Sequence, residues 1–353
     1  MKKKIAYLIH TEYHLLLAMN DCRDKYTDLN NYEVHFFLKR NVKSNRLKQD
    51  LDTSVLPYTI TFLDFVIQLN GKLSIDEKRK LEELRTMQFQ EFNFFQEQDP
   101  ITLILIEQYK KNGAQINLFQ DGLKPYIVHT MKFSPDLIRT NIRQNLWIRR
   151  NGYVVNDYFS FFNCKKYGFV KGIDRLYLTF PEAYKNWNEL PITKMNITID
   201  SDFLAVLRQL FHWEDSLLTV RKNVIFFMNQ PMHDDGSFEV KALQKLRNKY
   251  PDSKIYIKNH PLTSDVKRKA YLALNDLEII DSKIPAELFI AHLENSLVLS
   301  VCSTSMFIDN PSCRFYYMYA IEQDNNIKRL KKYNVINPTK HVITAKNIDE
   351  IAF

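Results

Sequence analysis

Glycine is scarce in this chain, with 7 in 353 residues. Neither G-x-G-x-x-G nor G-x-x-x-x-G-K-[ST] occurs, so a nucleotide bound here is not held by a glycine-rich phosphate loop. Cysteine is sparse too. The 4 present, Cys22, Cys164, Cys302 and Cys313, lie far apart without C-x-x-C spacing. That argues against structural zinc and a disulfide framework, and it suits a reducing cytoplasm. Long apolar runs are also missing. Leu288 to Val301 comes nearest to the roughly 18 residues of a membrane span, but His292, Glu294 and Asn295 interrupt it. Behind Met1-Lys2-Lys3-Lys4 the apolar stretch Ile5 to Ile9 ends at His10, too short for a signal-peptide core. The expectation is a soluble or peripheral protein on the cytoplasmic side, without internal repeats or low-complexity segments.

What is present is ordinary for a globular protein: 45% apolar and 25% charged residues. The length is comfortable for two domains, expected at 1–200 and 201–353. A net charge of +8 favours anionic partners: nucleic acid, an anionic membrane face, or a phosphorylated or acidic substrate. A lysine-rich solvated surface is the plainer alternative.

Strand-like and helix-like segments alternate along the chain. Ile5 to Ile9, Val34 to Leu38 and Thr59 to Phe65 read as strands, with a helix over Tyr13 to Cys22. Ser74 and Glu77 form a capping box, predicting a long helix toward Gln96. A helix over Ile101 to Lys111 stops at Gly113, and a strand follows from Gln115 to Phe119. Leu137 to Arg150 reads as a helix carrying Arg139, Arg143, Arg149 and Arg150 near Trp147. A strand is expected over Arg175 to Phe180, then a helix capped by Ser201 or Asp202 and running to about Phe211. Alternation resumes at the strand Val224 to Met228 and the helix Phe238 to Tyr250. Strands at 254–257, 278–280 and 297–301 then alternate with helices at 264–274 and 285–295. This predicts an α/β fold of two Rossmann-like domains facing a cleft, with parallel sheets and crossover helices.

Short polar motifs stand at strand ends, where open α/β sheets bind ligands. Gln120-Asp121-Gly122 follows the strand ending at Phe119. Glycine permits a sharp turn there, and the Asp121 carboxylate can take a proton from an attacking hydroxyl. Asp-Gly is also a common turn pair. His260-Pro261 comes after Ile255-Tyr256-Ile257; Pro261 biases His260 toward extended backbone, placing an imidazole near the strand tip, either to donate to a phosphate or protonate a leaving group or as an ordinary histidine in a loop before a helix. Ser303-Thr304-Ser305 offers hydroxyls and amides at an expected helix N-terminus, either an anion site or an ordinary cap. His233-Asp234-Asp235-Gly236 also leaves a strand end, either as a capping turn with Ser237 opening the next helix or as a loop whose Asp234 or Asp235 competes with Asp121 as base.

Together, acid and glycine, then His-Pro, then a Ser/Thr cluster resemble the motifs of bacterial sialyltransferases. The resemblance is best to the lipooligosaccharide sialyltransferases of glycosyltransferase family 52 and next to the capsular polysialyltransferases. Asn229-Gln230-Pro231 and Pro285-Ala286-Glu287 look similar as well. The resemblance spans about 115–305 and implies a GT-B fold, CMP-sialic acid or a related CMP-nonulosonate as donor, a glycan hydroxyl as acceptor, inversion, and no metal or cofactor. It implies that the acid-glycine motif supplies the base, with Asp121 and Gly122 first and Asp235 as rival. It assigns His260 and Pro261 to the departing CMP phosphate, Ser303, Thr304 and Ser305 to binding that phosphate, Asn229 and Gln230 to the donor, and Glu287 to the ribose. One departure is Gln120, where the family pattern has a first acid.

Two other readings compete. A GT-B enzyme using a UDP- or GDP-sugar often has the glycine-rich loop missing here. A basic nucleic-acid-binding protein would explain Arg139, Arg143, Arg149 and Arg150, but these form no recognisable module, and no nucleic-acid partner is expected. The same helix suits a peripheral contact with an anionic membrane.

Overall fold

Runs such as Ile5-Ala6-Tyr7-Leu8-Ile9 and Ile225-Phe226-Phe227-Met228 are apolar on both faces, as strands covered on both sides by helices must be. The computed structural model describes all residues except 1, 40–46, 48–50, 66, 130–134, 156–166, 188, 231–235, 261, 275, 281–282, 322–332 and 336. It divides into two units: Met1–Gln49 with Leu56–Asn196, and Asp50–Val55 with Ile197–Phe353.

The first unit contains β1 (Lys3–Ile9), α1 (Glu12–Lys25), β2 (Tyr32–Lys39), β3 (Thr59–Leu63), α2 (Ile75–Thr86), β4 (Glu91–Phe94), α3 (Pro100–Lys111) and β5 (Gln115–Phe119). A short strand β6 (Ile127–His129), α4 (Pro135–Arg150), β7 (Arg175–Leu178) and β8 (Ile192–Lys194) follow. Its seven-stranded sheet has the order β3-β2-β1-β4-β5-β7-β8, and every pair is parallel. The chain winds outward from β1 through β2 to β3, then returns to β4 and winds the other way. The topological switch point therefore lies between β1 and β4.

The second unit repeats the plan: α5 (Ser201–Leu210), β9 (Ile225–Met228), α6 (Ser237–Lys249), β10 (Ile255–Lys258), α7 (Asp265–Leu272) and β11 (Leu277–Ile280). Then come α8 (Ala286–Ala291), β12 (Leu297–Ser300), β13 (Arg314–Tyr317), a short strand β14 (Tyr333–Val335) and β15 (Val342–Thr344). The six-stranded sheet runs β11-β10-β9-β12-β13-β15, again all parallel, with its switch point between β9 and β12. Ile225, Phe227, Leu243, Leu246, Ile257, Leu297 and Leu299 form one face of its core, closed by Ile348 and Ile351 from the last residues of the chain. Each such side chain, fully buried, contributes about 1.5–3 kcal/mol.

Three expectations are corrected. The helix from Ser74 ends at Thr86, not near Gln96, although the capping box is present, with Glu77 N donating to Ser74 Oγ at 3.2 Å. Phe92 and Phe94 alternate with Glu91 and Asn93, a period of two that marks a strand, and Glu91–Phe94 lies buried between β1 and β5. The helix expected to open at Ser303 is a single 3-10 turn, Thr304–Phe307. Pro311 follows closely; it lacks an amide and disfavours helical backbone at Asn310, so the turn cannot propagate. Asp200, rather than Ser201 or Asp202, caps α5, accepting from Phe203 N at 2.8 Å.

Candidate active site

In the first unit, polar side chains gather at the carboxyl ends of β1 and β5, the two strands that flank β4 near the switch point. β1 ends at Ile9 and delivers His10; Thr11 then caps α1, accepting from His14 N at 3.2 Å, so His14 sits in the first turn. β5 ends at Phe119 and delivers Gln120 and Asp121. Gly122 has φ +62°, a left-handed turn that glycine adopts without strain, and it sends the chain away just after Asp121.

His14 Nε2 stands 3.0 Å from Asp121 Oδ1. The imidazole Nδ1 accepts a long bond of 3.4 Å from the His10 amide, which puts the proton on Nε2 and makes it the donor to the carboxylate. The ring stacks on Phe95, with centroids 4.4 Å apart and planes 6° from parallel. His14 is 1% exposed, whereas the Asp121 side chain is 25% exposed. The carboxylate is therefore the member of the pair that a substrate can reach. Burial works to raise the Asp121 pKa, but the hydrogen bond from His14 and the positive charge of Lys124 outweigh it and hold the carboxyl down at about 2. Lys124 Nζ lies 3.8 Å from Oδ2.

Gln120 is fully buried and fully engaged. Its Oε1 accepts from Tyr126 Oη and from Thr179 N, each at 2.8 Å, and its Nε2 donates to Tyr13 Oη at 2.8 Å. The residue that departs from the sialyltransferase pattern thus anchors the strand end on which Asp121 rides. Alongside, Asp99 caps α3 and pairs with the buried Lys39, with His10 Nε2 at 3.8 Å. Burial pushes the His10 pKa down, against the pull of Asp99.

The second unit presents a separate cluster at its own switch point. β9 ends at Met228 and delivers Asn229, which is 2% exposed. Asn229 Oδ1 accepts from His260 N at 2.9 Å and from Thr263 Oγ1 at 3.0 Å, while its Nδ2 donates to Asn259 Oδ1 at 2.6 Å. One amide thus ties the end of β9 to the loop after β10. His260 Nδ1 accepts from Leu262 N at 3.1 Å, leaving Nε2 with the proton as a donor. On the other side of β9, Ser303 follows β12; its Oγ accepts from Ser305 N at 3.2 Å and its carbonyl accepts from Tyr317 Oη at 2.9 Å. Thr304 and Ser305 begin the short turn. Glu287, in the first turn of α8, is 3% exposed. Pro261 and Asp235 lie outside the described residues.

The structure brings Asn229 and His260 together by a direct bond and sets Ser303 at the end of the strand adjacent to β9. Sequence reasoning missed His14, His10, Phe95, Asn259 and Thr263. The signal was available: His10-Thr11-Glu12-Tyr13-His14 follows an apolar run as Asp121 does. Trp147 is 1% exposed, so the basic helix α4 offers no aromatic to a nucleic acid. Among the described residues, no three or more His, Cys, Asp and Glu side chains are gathered to hold a metal ion, and no helix is long and apolar enough to cross a membrane.

Two doubly wound parallel sheets, each with polar groups at its switch point, place the chain in the GT-B class. Solved structures agree at the level of fold. A Photobacterium damselae sialyltransferase GT-B domain is 12% identical with a TM-score of 0.53, covering 98% of this chain and 100% of that one. A Photobacterium 2,6-sialyltransferase, solved with CMP and lactose, is 10% identical with a TM-score of 0.51, covering 97% of this chain and 78% of that one. A putative Listeria monocytogenes UDP-N-acetylglucosamine 2-epimerase is 12% identical with a TM-score of 0.52, covering 86% and 75%. No match was found among curated proteins. The family profile of the alpha-2,8-polysialyltransferases matches residues 61–312, and the chain belongs to that family. It is a sialyltransferase, on the polysialyltransferase side of the two resemblances seen in the sequence.

Proposed function

We propose that the protein transfers sialic acid from CMP-sialic acid to a hydroxyl of a cell-surface glycan with inversion, the first unit serving the acceptor and the second the CMP moiety. The observation that carries this reading is the division of labour between the two switch points. One holds an ionised, reachable carboxylate; the other gathers hydrogen-bond donors, His260 Nε2–H and the hydroxyls of Ser303, Thr304 and Ser305, which suit a phosphate. In the reaction the acceptor oxygen attacks the anomeric carbon, the bond from that carbon to the phosphate oxygen breaks, and CMP leaves with the electron pair. A single displacement inverts the centre. Asp121 takes the acceptor proton. A carboxylate held near 2 is a weak base, but this suffices, because the hydroxyl becomes acidic only as its oxygen bonds to the electron-poor carbon. His260 donates Nε2–H to the departing phosphate, and the Ser303, Thr304 and Ser305 hydroxyls share its charge. Asn229 and Gln230 shape the donor site, Glu287 serves the ribose, and Gly122 turns the backbone just after Asp121.

Calorimetry with CMP and UDP tests the donor assignment. CMP should bind and UDP should bind at least tenfold more weakly, and His260→Ala should weaken CMP by about 1–3 kcal/mol, the scale of a charge-assisted bond. Preference for UDP would favour an epimerase-like nucleotide-sugar enzyme.

A peripheral membrane contact belongs to the same reading. Arg139, Ile142, Arg143, Leu146, Arg149 and Arg150 form the exposed face of α4, while Asn141, Gln144, Trp147 and Ile148 are buried. Arginines interleaved with apolar residues suit an anionic bilayer. Arg139→Gln with Arg143→Gln should reduce co-sedimentation with phosphatidylglycerol vesicles and spare transfer to a soluble acceptor. Equal sedimentation of wild type and variant would remove α4 from this role.

A further inference from the structure

Lys267 and Glu239 are among the most deeply buried charged side chains described, with side-chain exposures of 1% and 0%. Their Nζ–Oε1 distance is 2.6 Å. Stability alone does not account for such a pair, since burying both charges costs several kcal/mol and apolar residues of similar volume often serve as well or better. Three contacts show what the lysine does that an apolar residue cannot. Its Nζ donates to the Gln230 carbonyl at 2.5 Å. Its stem lies against Gly236, where a Cβ would stand 2.9 Å from Lys267 Cγ. Its charge holds Glu239 in α6, the helix that Gly236 caps with φ +67°. Glu239 Oε2 has no hydrogen-bond partner among the described residues, so Lys267 is the carboxylate's anchor there.

Gln230 and Gly236 are the two described ends of the segment that leaves β9, and Lys267 belongs to α7, which follows the His260 loop. Asn229, the neighbour of Gln230, accepts the His260 amide at 2.9 Å. We infer that the buried Lys267–Glu239 pair is a positioning device for the donor end of the second unit, fixing both ends of the segment after β9 and, through Asn229, the loop that carries His260. This rests on the reading of that loop as a phosphate site. Neither residue touches substrate; both act through Gln230, Gly236 and Asn229.

The test is the double variant Lys267→Met, Glu239→Leu, which removes both charges and leaves none stranded. Amide hydrogen exchange reads the positioning directly, and CMP affinity with donor and acceptor KM reads its consequence. The expected result is faster exchange at His260 and Leu262, with donor KM and CMP Kd raised about tenfold. That is the scale of a small misplacement of binding groups. Acceptor KM should stay unchanged; a general loss of folded protein would lower apparent kcat and raise neither the donor KM nor the CMP Kd. Unchanged exchange with unchanged CMP affinity overturns the inference. If the double variant loses cooperative melting, Gly236→Ala, which crowds the lysine stem, is judged by the same two readouts. Wild-type protein that binds no CMP overturns the functional reading instead, and the exchange result then decides the pair alone.

Discussion

At the residue scale, two buried histidines beside one carboxylate have different fates. His14 holds Asp121 ionised by a bond of 3.0 Å, whereas burial favours neutral His10. The His10 pKa is depressed on folding, so the unfolded chain binds the proton more readily. Its contribution to stability is then complete above the ordinary histidine value of about 6.5 and is lost as pH falls toward the folded value. Asp121 behaves likewise at lower pH, its contribution being lost only between the ordinary carboxylate range and about 2. The melting temperature should therefore fall from pH 7 to pH 5, and His10→Phe should flatten that slope. An equal slope in the variant would assign the acid sensitivity to another group. Asp121 was legible in the sequence because glycine follows it at a strand end. His14 was not, because a histidine in an apolar helix looks like core until its partner, 107 positions away in sequence, is placed beside it.

Elements show where local pattern suffices and where it does not. The capping box fixed the start of α2, but the end depended on β4 finding its place between β1 and β5, a non-local event. The Ser303 segment was read as a longer helix because hydroxyl residues favour caps; Pro311 limits it to one turn. On the proposed reading, phosphate charge there would be met by the hydroxyls and few amides, since Ser305 N already bonds Ser303 Oγ at 3.2 Å. Replacing Ser303 and Ser305 together by Ala should raise the donor KM by the equivalent of about 1–3 kcal/mol, with activity surviving EDTA. Inactivation by EDTA with rescue by magnesium would place the phosphate charge on a metal instead.

Across the whole molecule, alternation of strands and helices was enough to predict two parallel-sheet units. Sheet order was not legible, because apolar runs look alike whichever neighbour they pair with. That order is what gives the motifs meaning: both winding schemes reverse beside their first strands, β1 and β9, and the polar groups stand at that reversal or one strand away from it. On the proposed reading, proton acceptance and nucleotide binding reside in different units. Asp121→Asn keeps shape and hydrogen-bonding reach but cannot take the proton, so it separates the two. The decisive measurement pairs its kcat for sialyl transfer with its Kd for CMP. A fall in kcat of at least about a hundredfold is expected, the usual scale for a general base, with CMP affinity unchanged. Near-normal kcat would contradict it and move the base to another residue, with Asp235 the first to test.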